Sequence, residues 1–158
     1  MKEEMCYWLG TELIVTPNRC YTKVVVRIVV TGLVFLCLSV YLAMRLGDFW
    51  QLPLAIAISL ILPGLLYQFF NAARRIHIPA GRGVVAMSFA GYFKRSLIDK
   101  NDVDIVENAL NGKAYMAIAN KNNPYGQSYQ ISPYLTNARL RALFNENILP
   151  VIRQQLLT

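Results

Sequence analysis

Residues 28–44, IVVTGLVFLCLSVYLAM, and residues 49–70, FWQLPLAIAISLILPGLLYQFF, decide how the rest of this chain is read. Neither run carries a formal charge, and Val24, Val25 and Val26 extend the first across Arg27. At about 1.5 Å of rise per residue, a helix over 24–44 reaches across a hydrocarbon core of ~30 Å. The second run is of spanning length too, and Arg27 then has to snorkel toward the headgroups. Only Arg45, Leu46, Gly47 and Asp48 separate the two, which suits a tight antiparallel hairpin over 24–71. Helices this apolar on every side need a large covering surface if they are to be buried in a soluble bundle. The remaining sequence is too short and too polar to supply one. Pro53 falls in the first turn of the second helix, whereas Pro63 beside Gly64 is expected to kink its interior. Ala55 and Ser59 have the spacing that allows close helix approach.

Composition agrees with this reading. The chain has 158 residues, 55% of them hydrophobic and only 16% charged, with a positive mean hydropathy. Sixteen Lys and Arg against nine Asp and Glu give a formal charge of +7. Position explains the excess without nucleic acid: Arg19, Lys23 and Arg27 precede the first span, and Arg74, Arg75 and Arg82 follow the second. The loop between the spans has only Arg45, balanced by Asp48. This asymmetry predicts both termini in the cytosol and the loop on the other side of the membrane. Trp50 and Phe49 at one interface, and Tyr67, Phe69 and Phe70 at the other, are expected as aromatic belts. Cys6, Cys20 and Cys37 have no pairing or zinc-ligand spacing and read as free thiols, in keeping with a reducing compartment. Apart from Asp48, no Asp, Glu, Lys or His lies between Ile28 and Phe70, so the usual residues of a proton or ion pathway are missing. An anchor or assembly surface is the expected use of the hairpin.

The segments on either side differ in character. Residues 1–23 form an N-terminal segment in which Glu12-Leu13-Ile14-Val15-Thr16 has the composition of a strand. Residues 76–158 suffice for one small domain. Ile76-His77-Ile78 reads as a strand closed by Pro79. Val84 to Phe93 alternates, with Val85, Met87, Phe89 and Phe93 on one face, and so reads as a half-buried strand. Lys94 to Ile98 continues the sheet after a bend. Asn111-Gly112 predicts a two-residue type I′ turn joining 103–110 to 113–119. Gln127 to Ser132 is a further strand. Thr136 or Asn137 can cap a closing amphipathic helix with Leu140, Leu143, Phe144, Ile148, Val151, Ile152 and Leu156 on its inner face, and Pro150 is expected to kink or restart it.

The succession of strands 84–93, 103–110, 113–119 and 127–132, the sequence Tyr129-Gln130-Ile131-Ser132-Pro133, and a final helix after two spans resembles small bacterial membrane proteins with a C-terminal PH-like domain, of the YcxB-like kind. The resemblance implies a membrane α plus cytosolic α+β architecture: a transmembrane hairpin, then an antiparallel sheet or partial barrel with a C-terminal helix. It also implies that strand 12–16 returns to the cytosolic sheet. A full PH fold has more strands than the five or six read from this sequence, so completion by strand 12–16 or by a second copy is open.

No catalytic or metal motif emerges. His77 is the single histidine, and Asp99, Asp102, Asp104 and Glu107 have no calcium-loop spacing. Neither an enzyme nor a cofactor is expected. Lys94 and Arg95, with Tyr92 and Phe93 and together with Arg74 and Arg75, form candidate contacts to lipid headgroups. Asn120, Lys121, Asn122, Asn123 and Tyr125, in a loop long for a hairpin, are the candidate contacts to a protein partner. The expectation is an integral inner-membrane adaptor or assembly protein that meets membrane lipids and a protein partner, a second copy of itself, or both. An immunity or regulatory protein acting on a toxin or channel, and a sensor of anionic headgroups, are the alternatives.

Overall fold

The computed structural model describes residues 5–89, 92–123 and 126–157. They divide into two compact units: one comprises the chain up to Cys20 together with the chain from Ala73 onward, and the other is Tyr21–Ala72.

The second unit is the helical hairpin. Helix α1 is Thr22–Arg45 and α2 is Gln51–Tyr67, followed by a π-helical turn at Gln68–Ala72. Both helices are long and apolar enough to cross a membrane, and only 11% and 17% of their most apolar stretches are buried. The core helix of a soluble protein is covered instead. Contact between them is made where side chains are smallest. Gly32, Ser39, Pro53, Ala57 and Gly64 are buried, and a Cβ on Gly32 would stand 2.6 Å from Cγ1 of Ile61. One on Gly64 would stand 2.5 Å from Cγ2 of Val29. The Ser39 hydroxyl donates to the Trp50 carbonyl at 2.8 Å, which ties the connecting turn to α1. Ala55 and Ser59, the pair expected to allow close approach, are exposed on the other side of α2, and the Ser59 hydroxyl bonds back to the Ile56 carbonyl. The glycines take the contact because only a missing Cβ lets backbones come this near.

Among the described residues, the first unit is built from eight strands and two short α-helices. Strands β1 (Cys6–Leu9), β2 (Glu12–Val15), β3 (Arg74–Ile78), β4 (Val84–Phe89) and β5 (Phe93–Asp99) form an antiparallel sheet in that order. Strands β6 (Val103–Leu110), β7 (Lys113–Asn120) and β8 (Tyr129–Gln130) form a second sheet. Helices α3 (Ala138–Asn147) and α4 (Leu149–Leu157) end the chain. Strands β2 and β3 are adjacent, with Leu13 opposite Ile78 and Val15 opposite Ile76, although the whole hairpin lies between them in sequence. Leu13, Val15, Ile76, Ile78, Val85 and Ile98 from the first sheet meet Val103 and Ile118 from the second, and Phe144, Ile148 and Ile152 from the helices, in one core.

Local signals account for the corners. Asn111 and Gly112 both have positive φ, 50° and 74°, as a type I′ turn requires. The Asn137 carboxamide oxygen accepts from the Leu140 N–H at 2.7 Å and caps α3. Pro150 sits at the second position of α4, where a missing N–H is harmless, so the helix restarts there. Lys100 is 4% exposed, and its ammonium donates to the carbonyls of Pro79 and Gly81 at 3.2 and 2.8 Å, pinning the β3–β4 turn.

The strand read from Val84 to Phe93 is two strands. Strand β4 ends at Phe89, the Tyr92 N–H donates to the Phe89 carbonyl at 3.0 Å, and β5 starts at Phe93. Strand β4 is also buried on both faces, from Val85 to Ser88, because its outer-face residues Ala86 and Ser88 are small and lie among the longer side chains of His77, Arg75 and Lys94 on the neighbouring strands. Phe93, expected on the core face, is 77% exposed.

Placing a β-branched side chain where α1 and α2 touch should separate them. Gly32→Val is expected to destabilise the hairpin by about 1–3 kcal/mol through overpacking, whereas Ala55→Val should stay within ~0.5 kcal/mol. Unfolding titrations of the full chain in detergent micelles read the difference, and equal effects of the two substitutions would refute this packing.

Candidate functional site

The four basic residues singled out from the sequence come together at one end of the five-stranded sheet. Arg74 and Arg75 open β3, Phe89 closes β4, and Phe93, Lys94 and Arg95 open β5. Register places Arg74, Phe89 and Phe93 side by side, and likewise Arg75, Ser88 and Lys94, with Arg95 opposite Met87. Because side chains alternate along a strand, Arg74 and Arg95 share one face while Arg75 and Lys94 share the other. The basic groups thus straddle the end of the sheet. Tyr92, 87% exposed, and Phe93 project from the turn between them.

Arg74 is the most constrained of the four. Its guanidinium lies over the Phe89 ring, 5.7 Å from the centroid, and its Nε is buried with no hydrogen-bond partner among the described residues. A buried donor without an acceptor costs about 1–3 kcal/mol. Arg74 follows Ala72, the last residue of the π-helical turn, by two residues, so at most ~7 Å of extended chain separates them.

Lys94 belongs to a second arrangement on its own face. Its ammonium lies 3.4 Å from Oε1 of Glu12, Oε2 of Glu12 is 3.0 Å from Nδ1 of His77, and Nε2 of His77 is 2.8 Å from Oγ of Ser88. With its proton on Nδ1, the imidazole donates to Glu12 and accepts from the Ser88 hydroxyl, and the chain of bonds crosses β2, β3, β4 and β5. The His77 hydrogen bond holds the Glu12 carboxyl below its ordinary value. Desolvation opposes that shift and the charge of Lys94 reinforces it. The order serine, histidine, carboxylate is that of a nucleophilic triad. Ser88, however, is 1% exposed, so its Oγ offers no path to an acyl group and the bonds act as a clamp across the sheet. Glu12 and Ser88 are missed by sequence reasoning because only strand register brings residues so distant in the chain together.

The loop from Asn120, the candidate contact to a protein partner, lies elsewhere, at the other end of β5, some 20 Å of strand away from Phe93. Asn120 organises it: its side-chain oxygen accepts from the Asn122 N–H at 2.8 Å and its carbonyl from the Asn123 N–H at 3.0 Å. The loop is fastened to the turn after β5. There the Lys121 N–H donates to the Asp102 carbonyl at 2.7 Å, and the Lys121 ammonium donates to the Asn101 carbonyl at 3.1 Å. Lys121, Asn122 and Asn123 are exposed. Tyr125 lies outside the described residues. Among the described residues no group of three or more His, Cys, Asp or Glu has metal-binding geometry.

Glu12 titrates lower in the folded chain than in the unfolded one. Its contribution to stability is therefore complete above the ordinary value of 4.5 and is lost as pH falls through the lowered one. Melting curves of the native chain and of Glu12→Gln in detergent should differ near neutral pH and converge on acidification below that value. A gap that persisted unchanged in acid would contradict the clamp. Comparison of the chain with family models, with curated proteins and with solved structures finds no match.

Proposed function

We propose that this protein is a non-catalytic adaptor of the bacterial inner membrane, with α1 and α2 crossing the bilayer and both termini cytoplasmic. Its PH-like β domain rests on the anionic leaflet through Arg74, Arg75, Lys94 and Arg95 and offers the 120–126 loop to a protein partner. The observation that carries the reading is the gathering of four basic and two exposed aromatic residues at the sheet end where β3 begins, two residues after the hairpin unit ends at Ala72. Two further features support it. Adjacent strands β2 and β3 lie before and after the hairpin, so an apolar excursion that left their side of a membrane has to return to it. The basic residues flanking the hairpin outnumber those of its loop, which favours the cytoplasm as that side. The inaccessible hydroxyl of Ser88 supports a binding role over a hydrolytic one.

An anionic surface attracts a nearby basic side chain by about 1 kcal/mol, so reversing Lys94 and Arg95 forfeits at least ~2 kcal/mol, a factor of about thirty. Hydrogen exchange of the full chain in nanodiscs provides the test. Replacing zwitterionic lipid by a mixture containing phosphatidylglycerol should slow exchange at 92–96 in the native chain but not in Lys94→Glu/Arg95→Glu. Concentrated salt should remove the protection. Identical exchange in both lipids would overturn the headgroup contact.

A further inference from the structure

Strand β6 is an edge of the second sheet among the described residues, and the pattern of its hydrogen bonds fixes which groups that edge exposes. Antiparallel partners alternate between pairs that exchange both backbone bonds and pairs that exchange none. The Lys121 N–H bonds to the Asp102 carbonyl, one step beyond the Val103–Asn120 pair. The alternation therefore bonds Asp104, Val106, Asn108 and Leu110 to β7 and turns the backbone of Val103, Ile105, Glu107 and Ala109 outward. Two outward N–H groups are already occupied: that of Val103 bonds to the Lys100 carbonyl, and that of Ile105 to the Asp104 carboxylate at 2.8 Å. The latter is a carboxylate guarding a sheet edge against indiscriminate pairing. Toward Ala109 no strand lies alongside among the described residues.

Beside the guarded start of this edge lies a groove of about 260 Å³ between β6 and the end of α4. Val103, Ile105, Leu156 and Leu157 supply its apolar surface, and Leu157 is 88% exposed. Lys121 and Arg153 stand at its rim. Asp104 lines the groove as well, its carboxylate engaged by the Ile105 N–H, so the two cations outnumber the one acid.

We infer that the open edge of β6 and this groove take an extended segment of a partner protein as an added strand, with apolar side chains entering the groove and carboxylates meeting Lys121 and Arg153. Strand addition draws affinity from main-chain hydrogen bonds and specificity from pockets for alternate side chains, and both are present here. Charge selects an acidic segment. It also disfavours a second copy of this chain, whose edge carboxylates Asp104 and Glu107 are already engaged, the first by the Ile105 N–H and the second by Arg141 at 3.4 Å, and so are not free to meet Lys121 and Arg153. The inference rests on the adaptor reading and assigns its mode of recognition, since Lys121 belongs both to the partner loop and to the groove.

The probe is a fluorescent heptapeptide of alternating valine and glutamate, titrated into the full chain in detergent micelles. Binding should weaken by about tenfold or more when alternate peptide amides are N-methylated, which removes strand pairing and keeps the charge. It should weaken comparably in Lys121→Glu/Arg153→Glu and for a valine–lysine peptide. Ala109→Pro, which replaces an outward N–H and spares the β7 ladder, should weaken binding while leaving the melting temperature near the native value. Equal affinity for the N-methylated peptide, no binding up to about 1 mM, or a native dimer that Ala109→Pro converts to monomer would each overturn the proposal, the last naming a second copy as the occupant. Photo-crosslinking from Asn122 in cells judges the adaptor reading separately. A specific crosslinked protein without peptide binding defeats strand addition alone, whereas loss of that crosslink with peptide binding intact defeats the adaptor reading.

Discussion

The pairing of β2 with β3 is the constraint on which the molecule depends. Leu13 faces Ile78, Ile14 faces His77 and Val15 faces Ile76 across a ladder whose strands stand about 4.8 Å apart. Everything from Pro17 to Ala73 is an excursion between two neighbouring strands. Such an excursion must begin and end at the same place, which two antiparallel helices accomplish and one helix does not. The same pairing completes the core: Leu13 and Val15 are fully buried against Ile76 and Ile78, and without them the sheet would expose its β3 edge. The clamp from Glu12 through His77 to Ser88 adds a polar lock to that ladder.

The two units are held together internally by different physics. In the β domain, burial of apolar side chains such as Ile118, Ile131 and Phe144 contributes about 1.5–3 kcal/mol each relative to exposure. Removal from water does not drive α1 against α2 in a lipid environment, because lipid tails are as apolar as leucine. Close packing at Gly32 and Gly64 and the Ser39 bond to the Trp50 carbonyl take its place. The outward leucines, isoleucines and valines of both helices are then a surface suited to hydrocarbon.

Much of this organisation is legible in the sequence wherever a local rule acts alone. Uncharged runs of spanning length mark both helices. Asn111-Gly112 marks a turn with two positive φ angles, Asn137 a helix cap, and Pro150 the break between α3 and α4. What stays hidden depends on residues distant in the chain. Strand β1 is only four residues long, too short for its Tyr7 and Trp8 to declare it, and becomes a strand by pairing with β2, Cys6 against Val15 and Leu9 against Glu12. The β4–β5 corner was masked by an alternation that runs unbroken from Val84 to Phe93, with Gly91 the single sign of a turn. Ala55 and Ser59 have the spacing of a packing motif, yet the glycines win because their backbones approach more closely. For the candidate site, the basic residues were visible one by one. Their gathering at one sheet end, the partners of His77 and the groove beside β6 required the register.

A hairpin returning both chain segments to the cytoplasmic face is the claim from which the lipid contact and the adaptor role derive their meaning. It is tested most directly by labelling single cysteines with a membrane-impermeant maleimide in intact spheroplasts, using a chain whose three native cysteines are replaced by alanine. Asp48→Cys, in the turn between α1 and α2, should be labelled from outside, and Asn122→Cys only after the membrane is opened. Labelling of Asn122→Cys in sealed spheroplasts, or protection of Asp48→Cys until lysis, would contradict the account.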